Sequence, residues 1–229
     1  MEDISKYRYE TKFNIASATF SDVEFQLKTH SKIFSKVYEC RFVNNIYFDT
    51  PSMQNYHDNV AGVSDRVKIR IRWYGSLFGL VERPILEIKI KKGGVGRKVS
   101  TSISEFVFDK NTSLGYIEGI LNKSAIPDDI RKKIRYTRPT LVNRYRRMYY
   151  LSSNKMFRAT VDNFQQFYKF SYGCNNFLSS IRINNIVLEV KYDYQNQKMA
   201  PSVISEFLFR VTKNSKYVNG IELINQVHS

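Results

Sequence analysis

Residues 65–75 read DRVKIRIRWYG, and their side chains alternate between charged and apolar types. In an extended strand, side chains two positions apart point to the same face. One face carries cations only: Arg66, Lys68, Arg70 and Arg72. The other face is apolar: Val67, Ile69, Ile71 and Trp73. Neighbouring like charges are destabilising unless an anion neutralises them, so the segment predicts a β-strand whose basic face binds a polyanion.

The same alternation recurs in four further segments that mix carboxylates with cations. They are RYETKF at 8–13, ILEIKIKK at 85–92, FRATVD at 157–162 and VLEVKYD at 187–193. Glu10, Glu87 and Glu189 each precede a lysine by two positions. In one strand alone, such charges are typical of a solvated sheet face, or of a glutamate that neutralises its neighbour. The same pattern in five predicted strands favours a ligand-binding site lined by charged side chains.

Acids among cations favour a ligand that combines phosphate with a metal ion. Mg²⁺ and Mn²⁺ prefer oxygen ligands and commonly join a carboxylate to a substrate phosphate. The sequence has no GxxxxGK[ST] loop and no HExxH or GxSxG motif, and its three histidines are isolated. The pattern therefore predicts metal–phosphate binding without nucleophilic catalysis by a Ser, Cys or His side chain.

Charge is the strongest compositional feature: 36 Lys and Arg stand against 21 Asp and Glu, a formal net charge of +15. Such an excess attracts nucleic acid, anionic membranes or phosphate compounds. Cys40 and Cys174 are too few for a disulfide framework. The N-terminal residues lack the apolar run of a signal peptide, and no run is long enough to cross a bilayer. We therefore expect a soluble, cytoplasmic protein.

The whole pattern predicts one domain, 1–229, of mainly β (α+β) class with peripheral helices. Strands are predicted at about 6–14, 41–49, 64–74, 84–92, 97–108, 139–151, 156–163, 165–171, 180–184 and 186–193. Helical spacing follows Ser21 as N-cap, spans 114–123, follows Pro127 and starts again at Pro201. Turn signals at 93–94 (Gly-Gly) and 184–185 (Asn-Asn) predict two hairpins.

Eight segments match one known family in order over nearly the whole chain. They are RYETK at 8–12, NNIYFDTP at 44–51, RVKIRIRWYG at 66–75, LEIKIKK at 86–92, VNRYRRMYY at 142–150, FRATVDN at 157–163, VLEVKYD at 187–193 and KNSKYVNGI at 213–221. They resemble the VTC domain, the polyphosphate polymerase domain of the vacuolar transporter chaperone family. Within the triphosphate tunnel metalloenzyme superfamily, this domain also occurs as stand-alone bacterial proteins.

The resemblance implies a closed antiparallel β-barrel tunnel of about eight strands with helices packed outside. It implies a catalytic, phosphate-binding set: Lys12, Arg70, Arg72, Lys89, Arg144 and Arg158. It also implies binding roles for Arg97, Lys98, Lys213, Ser215 and Lys216. The alternation adds Arg66, Lys68, Lys91 and Lys191 as substrate-binding candidates. Glu189 is the implied metal ligand, and the E-x-K pattern adds Glu10 and Glu87.

The implied activity is transfer of the γ-phosphate of ATP onto a growing polyphosphate chain, with Mn²⁺ or Mg²⁺ as cofactor. Such a reaction needs alignment and charge neutralisation more than covalent help. Arg8 stands where other tunnel enzymes have the first acid of an E-x-E-x-K pattern, which favours the polymerase branch. The expected partners are ATP and inorganic polyphosphate or triphosphate, and no nucleic acid is bound stably. Any coupling to a membrane needs a partner protein.

Three alternatives stay open at this point. The same basic site serves a triphosphate or polyphosphate hydrolase, with water in place of the phosphate acceptor. A catalytically silent polyphosphate-binding module is the second alternative, which the carboxylate of Glu189 argues against. The third is a nucleic-acid-binding module, suggested by the net charge and by an aromatic fraction of 14%. It is disfavoured because the cations alternate within strands and do not cluster with exposed aromatics.

Overall fold

The computed structural model describes residues 8–92, 95–172, 175 and 180–228. The strands are β1 Arg8–Ile15, β2 Phe34–Asp49, β3 Arg66–Tyr74, β4 Gly79–Val81, β5 Ile85–Lys92, β6 Val95–Ser102, β7 Phe106–Phe108, β8 Arg138–Ser152, β9 Phe157–Lys169, β10 Ile181–Ile183 and β11 Ile186–Asp193. The helices are α1 Phe20–Thr29, α2 Gln54–Val60, α3 Leu114–Lys123, α4 Asp128–Ile134, α5 Ala200–Ser205 and α6 Lys216–His228. The predicted α+β class with a dominant sheet is confirmed.

One large sheet contains most of the strands, in the order β1-β11-β9-β8-β2-β3-β5-β6, with β10 also paired to β9. Strands β4 and β7 form a separate two-stranded sheet. A closed barrel requires its two terminal strands to pair with each other. In the part of the chain that the structure describes, the order ends at β1 and β6 without such a pairing. The expectation of a closed barrel is therefore not supported.

The chain divides into two compact units. The first unit comprises Met1–Arg41, Tyr145–Gln165 and Ile183–Asn214, and the second comprises Phe42–Arg144, Gln166–Arg182 and Ser215–Ser229. No helix among the described residues is both long enough and apolar enough to span a membrane.

The core of the first unit lies between α1 and the apolar faces of its strands. Phe13, Leu27 and Phe157 are fully buried there. Helix α1 begins two residues earlier than predicted, because Thr19 and not Ser21 is its N-cap. The Thr19 side chain accepts from the backbone N–H of Asp22, whose carboxylate accepts from the Thr19 N–H at 2.7 Å. This reciprocal pair satisfies two helix donors that would otherwise lack partners.

The core of the second unit covers the apolar face of β3, as the alternation predicted. Ile69, Ile71 and Trp73 are at most 2% exposed and pack in one cluster with residues of α3 and α4. Helix α3 has the predicted bounds, and its N-cap Ser113 accepts from the N–H of Tyr116. Burial of the β3 apolar side leaves the four cations on the opposite face.

Several boundaries differ from the prediction. Strand β2 starts at Phe34, well before the predicted residue 41. Residues 35–42 are exposed on both faces, so this half of the strand has no buried face that a sequence pattern could show. The predicted strands 156–163 and 165–171 are one strand, β9, in which Phe164 has a positive φ of 51°. The 184–185 pair is no hairpin, because β10 and β11 both pair with β9. The predicted turn at 93–94 lies outside the described residues.

The helical predictions near the C-terminus also needed correction. Helix α5 ends at Ser205, so Leu208 and Val211 are not on its apolar face and are 83% and 53% exposed. Helices α2 and α6 were not predicted. Helix α2 has only one buried residue, Asn55, and therefore no apolar stripe that a sequence pattern could show.

Candidate active site

In the second unit, the register of β3, β5 and β6 brings the predicted cations into rows. Lys68 lies opposite Lys89, which lies opposite Lys98. Directly paired residues of an antiparallel sheet share a face. Two further rows place Arg66 opposite Lys91 and Arg70 opposite Glu87. We call this set the arginine cluster: Arg66, Lys68, Arg70, Arg72, Glu87, Lys89, Lys91 and Lys98.

Glu87 is the anion at the centre of the arginine cluster. Its Oε2 atom accepts from Arg70 Nε at 2.7 Å and lies 3.5 Å from Arg72 Nη1, while Oε1 pairs with Lys98. Burial would raise the pKa of Glu87, but the charges of Arg70 and Arg72, with Lys98, lower the pKa to about 2. Both carboxylate oxygens are thus engaged, and Glu87 orients two arginine forks in one place.

Arg72 is positioned from its other side by a chain of buried amides that sequence patterns did not reveal. Its Nε donates to Asn45 Oδ1 at 3.0 Å, and Asn45 Nδ2 donates to Asn143 Oδ1 at 3.3 Å. Asn143 Nδ2 then donates to the carbonyl of Gln166 at 3.2 Å. Asn45 and Asn143 have no exposed surface. The guanidinium of Arg72 is therefore fixed by neutral donors and acceptors.

The start of α6 contacts the same cluster. Lys68 Nζ donates to Ser215 Oγ at 2.9 Å, and Ser215 precedes the first residue of α6. Tyr217 anchors this helix because its hydroxyl donates to the buried carboxylate of Asp49. Asp49 also accepts from the backbone N–H groups of Asn55 and Tyr56 at 2.8 and 2.9 Å. One carboxylate thus holds the first turns of both α2 and α6.

In the first unit, β1 and β11 bring together what we call the glutamate cluster: Glu10, Lys12, Glu189 and Lys191. Lys12 lies opposite Glu189, and Glu10 lies opposite Lys191. Lys191 Nζ lies 2.5 Å from Glu189 Oε1, and Lys12 Nζ lies 3.7 Å from Glu189 Oε2 and 3.2 Å from Glu10 Oε1. Burial would raise the pKa of Glu189, but Lys191, Lys12 and Arg147 lower it well below its usual range.

Arg147 lies beside the glutamate cluster and was not predicted from the sequence. Its guanidinium binds Asp162 in a bidentate manner, with distances of 2.6 Å from Nε to Oδ1 and 2.7 Å from Nη2 to Oδ2. The Asp162 side chain is 0% exposed and that of Arg147 is 12% exposed. Burial would lower the pKa of Arg147, but the charge of Asp162 raises it well above its ordinary value. Arg147 is therefore a fixed cation beside Glu189.

The donor set of the glutamate cluster fits a divalent metal ion in part. Glu10 and Glu189 supply two carboxylates, and Thr160 lies opposite Glu189 on β9. The hydroxyl of Thr160 is buried and finds no hydrogen-bond partner within the described residues. Across the ranges that the structure describes, no group of three or more His, Cys, Asp or Glu side chains lies within reach of one ion. A hard cation would therefore take its remaining ligands from phosphate and water, as Mg²⁺ commonly does.

The remaining predicted residues occupy different positions. Arg158 is exposed and lies opposite Lys191, on the face of the glutamate cluster. Arg144 stacks over the ring of Phe42 at 4.0 Å, and its Nε is buried without a hydrogen bond in the described part of the chain. Arg97 lies opposite Ile90, so the register turns it away from the face of Lys98. The three predicted binding residues near the C-terminus belong to different units: Lys213 to the first, and Ser215 and Lys216 to the second.

A family model identifies the class of protein. The model of the VTC domain matches residues 7–225, and the chain therefore belongs to the VTC domain family. This confirms the resemblance seen in the sequence. No curated protein matches the chain significantly.

Solved structures share the fold at low sequence identity. A putative adenylyl cyclase from Hippeastrum, described as having a dominant triphosphatase activity, is 14% identical with a TM-score of 0.52, over 94% of this chain and 96% of that one. A putative adenylate cyclase from Vibrio parahaemolyticus is 11% identical with a TM-score of 0.50, over 92% and 95%. The PH1819 protein from Pyrococcus horikoshii is 12% identical with a TM-score of 0.50, over 96% and 99%.

Proposed function

We propose that this protein is an enzyme for metal-dependent phosphoryl transfer on linear phosphate chains, and that it is a polyphosphate polymerase using ATP. The observation that carries the proposal is the excess of cations in the arginine cluster, where Glu87 is the single acid. A polyanion with closely spaced charges would neutralise such a face, and phosphate chains have that spacing. Membership of the VTC domain family supports the same substrate class.

The residues of the two clusters would act by binding and orientation. The proposed phosphate ligands are Lys12 and Arg158 in the first unit and Arg70, Arg72, Lys89 and Arg144 in the second, and of these Arg144 and Arg158 lie outside the two named clusters. Arginine forks bind two phosphate oxygens at once, whereas lysines supply mobile point charges. Glu87 and Asn45 would hold the arginines in the orientation that the transferring phosphoryl group needs, so that little reorganisation accompanies the reaction.

Glu189 and Glu10 are the proposed ligands of the metal ion, with the Thr160 hydroxyl beside them. When bound, Mn²⁺ or Mg²⁺ would supply Lewis-acid stabilisation of the charge on the phosphate oxygens. Lys12 contacts both carboxylates and would also bind phosphate, so it would bring the metal ion and the phosphate close together. No side-chain nucleophile is required, because phosphoryl transfer relies on alignment and charge neutralisation.

Hydrolysis is the second candidate function. The Hippeastrum protein of the same fold has a dominant triphosphatase activity. A water molecule in place of a phosphate acceptor would need the same cationic residues. The acceptor and not the binding site would then distinguish the two activities.

The deciding experiment is incubation of the purified protein with ATP and Mn²⁺, followed by gel electrophoresis and phosphorus NMR of the products. Chains longer than triphosphate support the polymerase, whereas free phosphate or tripolyphosphate cleavage alone supports the hydrolase. Absence of both products would contradict the enzyme proposal. Arg72→Ala and Glu189→Gln should each lower kcat by about 10²-fold or more. Lys28→Met, which removes an exposed lysine paired with Glu24 on α1, is the matched control.

A further inference from the structure

The metal-binding candidate Glu189 has both of its carboxylate oxygens engaged by lysines. Lys191 Nζ is 2.5 Å from Oε1, and Lys12 Nζ is 3.7 Å from Oε2. Lys12 also lies 3.2 Å from Glu10, the other carboxylate of the cluster. Two ammonium groups therefore occupy positions beside the oxygens that a metal ion would use.

A free divalent cation would meet repulsion at such a carboxylate. The Lys191 side chain is 39% exposed and that of Lys12 is 23% exposed, so both ammonium groups can turn to another anion. Arg147 cannot do the same, because its bidentate pair with the fully buried Asp162 holds it in place. When the lysines leave, Arg147 remains to keep Glu189 ionised and oriented.

We propose that these lysine–glutamate pairs couple the binding of metal and phosphate, so that the glutamate cluster takes a metal–phosphate complex as one ligand. Phosphate oxygens draw Lys191 and Lys12 away from Glu189, and the released carboxylate then accepts the metal ion. Free Mn²⁺ or Mg²⁺ without phosphate binds poorly. This inference rests on the proposed function and specifies its substrate as the metal complex of the phosphate chain.

The coupling has a direct consequence for one substitution. Lys191→Met frees Glu189 Oε1 without phosphate, so free Mn²⁺ should bind at least about fivefold more tightly, which is a modest coupling for linked sites. The same substitution removes a phosphate ligand, so tripolyphosphate should bind more weakly. Lys191→Arg restores a cation beside Glu189 and should return both affinities toward those of the unsubstituted protein.

The test measures binding and not turnover. Free Mn²⁺ binding is followed by electron paramagnetic resonance in phosphate-free buffer, and tripolyphosphate binding by calorimetry in buffer with a chelator that removes divalent metals. Two control variants separate loss of the Lys191–Glu189 contact from loss of one positive charge. Lys28→Met removes a lysine from an unrelated ion pair on α1. Lys213→Met removes one charge next to Asn214, whose carbonyl accepts from Lys12 Nζ at 3.3 Å. Circular dichroism verifies that each variant is folded.

The outcomes distinguish the inference from the proposed function. Support for the coupling is tighter Mn²⁺ binding in Lys191→Met and in neither control, together with weaker tripolyphosphate binding in Lys191→Met. Unchanged Mn²⁺ affinity in that variant, or an equal gain in Lys213→Met, overturns the coupling, while tripolyphosphate binding by the unsubstituted protein would leave the proposed function standing. If the unsubstituted protein fails to bind tripolyphosphate both with and without Mn²⁺, the proposed function fails as well.

Discussion

The buried pair of Arg147 and Asp162 should dominate the stability of the first unit. Its two hydrogen bonds are 2.6 and 2.7 Å long, and the Asp162 side chain has no exposed surface. Removal of one partner from a buried ion pair leaves an uncompensated charge in the interior and costs about 3–5 kcal/mol. We therefore expect Asp162→Asn to lower the free energy of unfolding by about that amount.

The double variant provides the sharper test. In Arg147→Met/Asp162→Asn neither member of the pair is left as an unpaired charge, and replacement of a whole buried pair by neutral groups is often close to neutral in stability. The double variant should therefore lose clearly less free energy than the sum of the two single losses. A coupling of about 2 kcal/mol or more is expected, within the range seen for residues in direct contact.

Urea unfolding followed by far-ultraviolet circular dichroism measures these losses. Fluorescence is less suitable, because the single tryptophan, Trp73, belongs to the second unit and the ion pair belongs to the first. Equal m-values in all four proteins are required for the comparison. The reasoning is refuted if the single losses add to the double loss within about 0.5 kcal/mol, or if Asp162→Asn loses less than about 1 kcal/mol.

Three further predictions concern the second unit. The folded-state pKa of Glu87 is about 2, so the stability it contributes is complete above its unfolded pKa near 4.5 and is lost as the pH falls through 2. Glu87→Gln should remove this loss of stability at low pH and should lower the free energy of unfolding by about 2–3 kcal/mol at pH 7, measured by denaturation across the acid range. Gly220→Ala would place a methyl group 2.5 Å from a ring carbon of Phe167, and thermal melts should show a loss of about 1–3 kcal/mol from overpacking. Tyr217→Phe leaves Asp49 without its hydroxyl donor and should cost about 1–3 kcal/mol in urea unfolding, with unchanged stability as the contradicting result.

The charged faces could be predicted because a strand has a fixed side-chain period. In β3 the apolar residues Ile69, Ile71 and Trp73 are buried in the core, and the cations lie on the opposite face, as the alternation predicts. The bounds of α3 follow from its apolar spacing and from Ser113 as N-cap. Such local signals depend only on neighbouring residues, and the sequence contains all of them.

Features that depend on contacts between distant segments could not be predicted. Arg147 lies in VNRYRRMYY, where the adjacent cations Arg146 and Arg147 break the period of two. The pattern therefore does not show which of the two points to the charged face of the sheet. Only the tertiary structure brings Arg147 to Asp162. Helix α2 is similar, because the carboxylate that accepts from its N–H groups is Asp49 of the preceding strand and its own N-cap, Met53, offers no side-chain acceptor.

The sequence also could not separate the roles of the glutamates, because Glu87 and Glu189 both lie in the same E-x-K pattern. Their partners differ in the structure. Two arginines and Lys98 hold Glu87, and arginine forks fix a carboxylate by directed pairs of hydrogen bonds. Lysines engage both oxygens of Glu189, and an ammonium is a mobile point charge that can move to another anion. We therefore infer that Glu87 orients the arginines and that Glu189 is the carboxylate that exchanges its partners for a metal ion.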